Sequence, residues 1–261
     1  MGASLTVLGA GSILPQVEYG CSGYALRGAP GGPVTLFDCG PGSVRRLAAV
    51  GVELGEVRRV VFSHYHPDHC LDLVALTFAR KNQGFDPPHL EVIGPEGLEA
   101  VVQGVRKIWG GWVTDPDASY LEVEPAADGR VRLERDDLAL EAVRTEHTPQ
   151  ALAWRATFPD GSSLTYTGDS CETAAVGDLA RGCDLFLSEC SFPEEAGVDT
   201  HLTPPGAGRL ARRAGCGRLV LTHFYPDMDP ARAREEAAAV FGGPVETARD
   251  GSRHPLRLPA R

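Results

Sequence analysis

Short apolar runs recur along the chain: LTVLG at 5–9, VTLFD at 34–38, RVVFSH at 59–64, LEVIG at 90–94, LALEAV at 138–143, ALAWRATF at 151–158, SLTYTGD at 163–169, DLFLSE at 184–189 and RLVLTH at 218–223. Their length and their content of branched and aromatic residues predict strands. Helical spacing fills several of the gaps. Over 70–82, Leu71, Val74 and Phe78 fall on one face, and Gly84 is expected to end the run. Over 95–109, Leu98, Val101, Val102, Val105 and Ile108 recur at three- and four-residue spacing. Alanine- and arginine-rich segments at 203–214 and 230–241 predict surface helices, Glu235 and Glu236 adding charge to the second. PDGS at 159–162 predicts a hairpin turn between two of the strands. The stretch QGVRKIWGGWVTDPDASY at 103–120 is the least regular and is expected to form a loop or flap.

Strands outnumber helices and the two are interleaved, which predicts an α/β fold whose sheets are covered by helices. No long linker, low-complexity tract or short repeat interrupts the 261 residues, so one domain over 1–261 is expected. Hydrophobic residues make up 43% and charged residues 23%, the balance of a soluble globular protein. No apolar run approaches the roughly 20 residues of a membrane-spanning helix. The start MGASLTVLGAGSILP lacks a basic region ahead of its apolar residues, so a cytoplasmic location is expected. The GAGS at 9–12 in that start reads as a glycine turn, because Leu14 breaks the dinucleotide-loop pattern. Seven cysteines are scattered without a CxxC pair, which predicts buried free thiols and neither a disulfide framework nor a zinc ribbon. The formal net charge of −10 disfavours a long nucleic acid as partner, since phosphate gripping needs a basic surface.

One stretch departs from this ordinary picture. VVFSHYHPDHC at 60–70 packs His64, His66, Asp68 and His69 into six residues directly after an apolar run. Two histidines two apart at a strand end can point the same way. Pro67 then turns the chain, and Asp68 and His69 open the predicted helix. Nitrogen and oxygen donors so concentrated suit zinc, and four of them can be shared between two ions about 3.5–4 Å apart. Later strands end in further donors: His147 in TEHTPQ, Asp169 in SLTYTGDS and His223 in RLVLTHF. Any one alone reads as a cap or a hydrogen-bonded histidine; together with the cluster at 64–69 they read as one site. Trp109 and Trp112 either stack a base, cover a pocket mouth or simply pack. Ser170 and Cys171 carry no mark of a nucleophile, and His89 and His254 are expected at the surface.

HYHPDH matches the HxHxDH signature of the metallo-β-lactamase superfamily, and His147, Asp169 and His223 follow in that superfamily's order. The resemblance spans nearly the whole chain. It implies a four-layer αββα sandwich of two mixed sheets, with two zinc ions at one edge. By it, His64, His66 and His147 hold one zinc, Asp68, His69 and His223 the other, and Asp169 bridges them, a metal-bound hydroxide being the nucleophile. LFDCGPGS at 36–43, SECSF at 188–192 and THLT at 200–203 resemble motifs of the ribonuclease Z family. That resemblance makes Asp38 a carboxylate steadying the ligands, and pairs Glu189 with His201 beside the metals. The catalytic set implied is thus Asp68, Glu189 and His201, with His201 binding a phosphate oxygen or protonating the leaving alkoxide. Two features depart from the family pattern. Only a hairpin's length separates His147 from Asp169, so the inserted arm that holds transfer RNA is missing. Asp72 stands where many relatives have glycine, and reads as a helix-surface charge or a further carboxylate near the site.

The expected activity is hydrolysis of small or cyclic phosphodiesters by a dinuclear zinc enzyme, with a homodimer left open and no membrane partner. The rivals are a transfer-RNA 3′-end endoribonuclease and a hydrolase of lactone, thioester or lactam carbonyls. A metal-binding module without catalysis would lack ligands, and a redox di-iron protein would replace a histidine with glutamate and add a flavin domain. Donor types alone do not separate zinc from manganese or iron.

Overall fold

The computed structural model describes residues 2–83, 88–113, 115, 117–196 and 198–258. The first sheet contains β1 (Ser4–Gly9), β2 (Gly23–Arg27), β3 (Val34–Cys39), β4 (Val57–Val61), β5 (Leu90–Pro95) and β6 (Ala118–Val123). The second contains β7 (Arg130–Glu134), β8 (Ala139–Arg144), β9 (Leu152–Thr157), β10 (Ser163–Tyr166), β11 (Leu185–Glu189), β12 (Leu219–Thr222) and β13 (Val245–Thr247). The last strand, β14 (Arg253–Pro255), returns to the first sheet beside β1, giving orders 14-1-2-3-4-5-6 and 13-12-11-10-9-8-7. Both sheets are mixed: β1–β3 pair antiparallel and β3–β6 parallel, while β7–β10 pair antiparallel and β10–β13 parallel.

Alternation along the strands divides the apolar residues among three layers. Leu5, Val7, Phe37, Val61 and Ile93 of one sheet meet Leu152, Trp154, Tyr166, Leu187 and Val220 of the other in a central core. Leu8, Leu36, Val60 and Val92 face outward beneath α1 (Ser43–Ala49), α3 (Asp72–Asn82) and α4 (Leu98–Trp109), which lie beyond a short α2 (Pro67–Cys70). On the opposite side Phe186, Leu219 and Leu221 pack under α5 (Ala174–Leu179), α6 (Pro204–Ala214) and α7 (Pro230–Phe241). The result is the αββα sandwich, and every strand read from the sequence lies in it. The PDGS turn closes the β9–β10 hairpin as expected, Phe158 and Ser162 being joined through their backbones.

Three expectations change. Residues 103–120 are not one loop: α4 runs to Trp109, a tight turn covers Gly110–Val113, and β6 begins at Ala118, while Thr114 and Pro116 lie outside the described residues. The face carrying Leu71, Val74 and Phe78 is not the buried one, since α3 packs through Leu73, Leu76, Thr77 and Arg80, and Leu71 remains 51% exposed. That face lines an apolar cleft with half-exposed Trp109 and Trp112, so these tryptophans are not ordinary core packing. Gly84, expected to end this helix, lies outside the described residues. His254 is not a surface residue either: it is buried, 2.8 Å from Glu246 and 2.9 Å from the Ser252 hydroxyl, whereas His89 is exposed as expected. All seven cysteines are free, and five of them are buried.

Arg80 anchors the first helical layer. Its guanidinium is fully buried, donates to Asp115 at 2.9 Å, and also donates to the carbonyls of Leu54, Val57 and Pro88. Arg80→Met would leave a buried carboxylate and three carbonyls without their donor. The expected loss is about 3–5 kcal/mol of unfolding free energy, measured by urea denaturation. A loss below about 1 kcal/mol, the scale of an exposed pair, would show that this pair behaves as a surface one.

Candidate metal centre

The strand expected over 59–64 ends three residues before His64, because β4 runs over Val57–Val61. Phe62 to His66 runs on as an extended loop clamped by both sheets. Phe62 N–H donates to Ile93 O at 2.8 Å, Leu152 N–H donates to Ser63 O at 2.9 Å, and the Trp154 indole donates to Phe62 O at 2.9 Å. Pro67 then opens α2, where its missing N–H costs nothing, and this single turn buries Asp68 and His69. Gly40 explains part of the DCGPG motif: a Cβ there would lie 1.8 Å from the Asp68 carbonyl oxygen. Gly168, at φ +58°, makes the turn out of β10 that delivers Asp169, and a Cβ there would lie 2.6 Å from Ser63 Cβ.

All seven predicted ligand residues converge at one edge of the sandwich. His64, His66, His147 and Asp169 place one donor atom each within 4.8 Å of one another, and so do Asp68, His69 and His223. Asp169 lies between the two groups. Its Oδ2 is 3.8 Å from His64 Nε2 and 3.6 Å from His147 Nε2, while its Oδ1 is 3.4 Å from His69 Nε2 and 3.6 Å from His223 Nε2. Asp68 Oδ2 is 3.5 Å from His223 Nε2 and 3.9 Å from His69 Nε2. His147 Nε2 and His66 Nδ1 are 3.2 Å apart. Two donor sets thus share one carboxylate.

Hydrogen bonds behind the rings decide which nitrogen faces inward. Asp38 is wholly buried; its Oδ2 accepts from His69 Nδ1, the Ser63 hydroxyl and the Tyr166 hydroxyl, each at 2.8 Å, and its Oδ1 accepts from Ser63 N–H at 2.8 Å. With its hydroxyl proton given to Asp38, Ser63 accepts from His64 Nδ1 at 3.0 Å. His147 Nδ1 donates to Thr200 O at 3.1 Å. His223 Nδ1 donates to the Ser191 hydroxyl at 2.9 Å, and that hydroxyl donates to Glu189. In His64, His69, His147 and His223 the Nδ1–H is therefore engaged, and the Nε2 lone pair is left for a cation. Glu189 is itself fully buried; it also accepts from Ser170 N–H at 2.6 Å and lies 3.1 Å from His201 Nδ1 through both oxygens. The His201 ring contacts those of His147 and His223, with centroids 4.7 and 6.0 Å away.

Burial lowers the His64 imidazolium far below its ordinary pKa. Burial alone would raise the Asp169 carboxyl, but His223 and His69 beside it hold the group well below the carboxylate range. At His201, burial opposes protonation, and the hydrogen bond and charge of Glu189 override it, leaving the pKa above its ordinary value. His64 Nε2 and Asp169 Oδ1 are buried without any hydrogen-bond partner. Each such orphan costs roughly 1–3 kcal/mol unless something satisfies it. An imidazole nitrogen and a carboxylate oxygen left without partners fit a cation, and imidazole with carboxylate suits zinc and its neighbours in the first transition row.

Sequence reasoning missed several supports. Asp38 and His223 are non-glycine residues at φ +54° and +59°, a left-handed conformation whose cost of order 1–3 kcal/mol is characteristic of functional sites. The twist at Asp38 breaks strand alternation, so Phe37 and Asp38 both turn inward. Ser63, Tyr166 and Ser191 gave no local signal. Asp72 is neither a free surface charge nor a site carboxylate: its Oδ2 accepts from the backbone N–H of Gly42 at 3.0 Å and Val44 at 2.9 Å, tying the loop after β3 to α3. Between His147 and Asp169 the chain forms β9, β10 and their turn.

A family model described as the β-lactamase superfamily domain matches residues 35–224, a span containing all seven convergent residues. Ribonuclease Z of Mycobacterium marinum is 32% identical, with 94% of this chain and 96% of that protein aligned. Among solved structures, the metallo-β-lactamase fold protein YhfI of Bacillus subtilis gives a TM-score of 0.83 at 26% identity, covering 97% of this chain and 100% of that one. The short form of human tRNase Z gives 0.81 at 22% identity over 98% and 100% of the two chains, a likeness of fold. Among the described residues no helix is long and apolar enough to cross a membrane. The match across most of the sequence, carried by a relative along nearly its full length, makes this chain a member of the metallo-β-lactamase superfamily of hydrolases, in its ribonuclease Z-like branch.

Proposed function

We propose that the protein is a dinuclear zinc phosphodiesterase acting on small or cyclic diesters. The observation that carries this reading is the placement of Asp169, with one carboxylate oxygen toward each set of donors. On it, His64, His66 and His147 hold one ion, Asp68, His69 and His223 hold the other, and Asp169 is common to both. Bound there, the ions supply Lewis acidity that neutralises phosphoryl oxygens and lowers the pKa of a water. Asp38 and Ser63 hold His69 and His64 in the tautomer that leaves Nε2 bare. Ser191 does the same for His223. Glu189 engages His201 through Nδ1 and raises its pKa, which leaves Nε2 to bind a phosphate oxygen or to deliver a proton to the leaving alkoxide. A carbonyl substrate has less need of such a part-buried, carboxylate-backed imidazole.

Charge favours a small substrate over a long one. The segments bearing the site residues carry exposed Glu146, Glu194, Glu195, Asp199 and Asp227. Arg209 is engaged with Glu172 and Glu194, and Arg232 with Glu195 and Glu236. Together with the net charge of −10, this surface gives little grip on many phosphates at once. The second reading, a transfer-RNA 3′ endoribonuclease, is favoured by the name of the Mycobacterium marinum relative. One metal-loaded preparation, given cyclic and linear small diesters and precursor transfer RNA from low to moderate salt, separates the two. Turnover of small diesters with weak salt dependence is expected. Efficient, site-specific cleavage of the precursor with little activity on small diesters would replace this proposal by the second reading.

A further inference from the structure

We propose that Ser252, His254 and Glu246 form a second reactive centre, in which Ser252 takes the acyl group of a small, activated carboxylic ester. The three residues include none of the metal donors, and the proposal is independent of the phosphodiesterase reading. β13 and β14 are edge strands, one in each sheet. Glu246 lies on β13, His254 on β14, and the turn between them carries Ser252. His254 Nδ1 is 2.8 Å from Glu246 Oε2, and His254 Nε2 is 2.9 Å from the Ser252 hydroxyl. The Arg218 guanidinium donates to the other Glu246 oxygen at 2.6 Å. The His254 hydrogen bond, with Arg218 behind it, pulls the Glu246 carboxyl down to about 2, so Glu246 is ionised and accepts from Nδ1–H. The neutral ring then carries its proton on Nδ1 and leaves Nε2 bare, and the Ser252 hydroxyl donates to it. The same hydroxyl oxygen accepts from Arg249 N–H at 3.1 Å, which stabilises negative charge developing there.

A stitch between the sheets needs only His254 and Glu246. The serine adds what a stitch does not require, a hydroxyl aligned on the second ring nitrogen and carried by a turn that faces solvent. Gly251 and Arg253 on either side are exposed, Ser252 is half-buried, and a Cβ on Gly251 would meet nothing within 4 Å. A nucleophile, a base within hydrogen-bond reach and an anion orienting that base are the parts of a serine acyl-transfer centre. In the step, a bond forms between Ser252 Oγ and the acyl carbon while the bond from that carbon to the leaving oxygen breaks. The hydroxyl proton passes to His254 Nε2 and then to the leaving oxygen. Water, deprotonated by the same nitrogen, releases the acid and restores the serine. Glu246 acts only through His254, as a positioning residue.

The test treats the metal-loaded protein with two probes. Diisopropyl fluorophosphate should place a diisopropylphosphoryl group on Ser252 with loss of fluoride, and 4-nitrophenyl acetate, quenched in acid, should leave an acetyl group there. Peptide mass spectrometry locates both marks, which separates this centre from any ester hydrolysis at the metals. Ser252→Ala should abolish both. His254→Asn should slow marking by about 10²–10⁴-fold, the contribution of a positioned base. Glu246→Gln should slow it by about tenfold or more, and Glu246→Asp, which keeps the charge, should recover part of that rate. A purely structural Glu246 would shift Tm and leave the marking rate unchanged. Should His254→Asn not fold, the two Glu246 variants decide the relay. No mark on Ser252, marking spread evenly over other hydroxyls, or wild-type rates in the His254 and Glu246 variants would overturn the proposal.

Discussion

Asp169→Ala is expected to reduce bound metal from near two ions per chain to one or fewer and to bring hydrolysis down to background, with the fold retained. The carboxylate is buried, and its two oxygens lie 3.4 to 3.8 Å from four imidazole nitrogens belonging to both donor sets. No neighbouring group among the described residues replaces that double contact. Asp68→Ala should remove one ion and abolish hydrolysis as well, since only the set of Asp68, His69 and His223 loses a donor. Elemental analysis of protein purified without chelator, with circular dichroism as the check on folding, measures both. Two ions per chain in Asp169→Ala would remove the bridging role. Metal at background level in the wild type would falsify the dinuclear reading as a whole.

His201→Ala is expected to keep its metal and lose roughly 10²–10⁴ in rate on diesters with alkoxide leaving groups, the usual contribution of a positioned general acid. The buried Glu189 sits 3.1 Å from His201 Nδ1 through both oxygens and, against the effect of burial, raises the ring's pKa above its ordinary value. A proton held there matters most when the departing oxygen is strongly basic. The loss should therefore shrink markedly for a nitrophenolate leaving group, which departs as a stable anion. Equal losses on both kinds of ester would leave His201 a phosphate-binding role and remove the acid role. Because Glu189 also reaches His223 through Ser191, Glu189→Gln should disturb metal retention as well as rate, whereas His201→Ala should not.

The sequence by itself determined the residue chemistry of the site and most of the sandwich. Strands such as VTLFDC and LFLSE are buried along their whole length, so they appear as unbroken apolar runs. HYHPDH is legible because so many donors in six residues have no ordinary structural use. Local pattern failed where burial is partial or pairing is distant. β6 mixes half-buried and exposed positions, and the three residues of β14 pair with β1 from the other end of the chain. The apolar spacing of Leu71, Val74 and Phe78 is real, yet α3 turns that face outward because Arg80 and Leu76 take the inward one. Tertiary structure alone decided that Ser63 and His69, both after β4, and Tyr166 of β10 meet on the Asp38 carboxylate of β3. It also decided that Asp38 and His223 adopt left-handed backbone and that Ser252 and Glu246 stand on the two nitrogens of His254. The physical reason is that periodicity along a chain reports only whether a side chain is buried. Which buried groups touch depends on how two twisted sheets stack, and no segment carries that information alone.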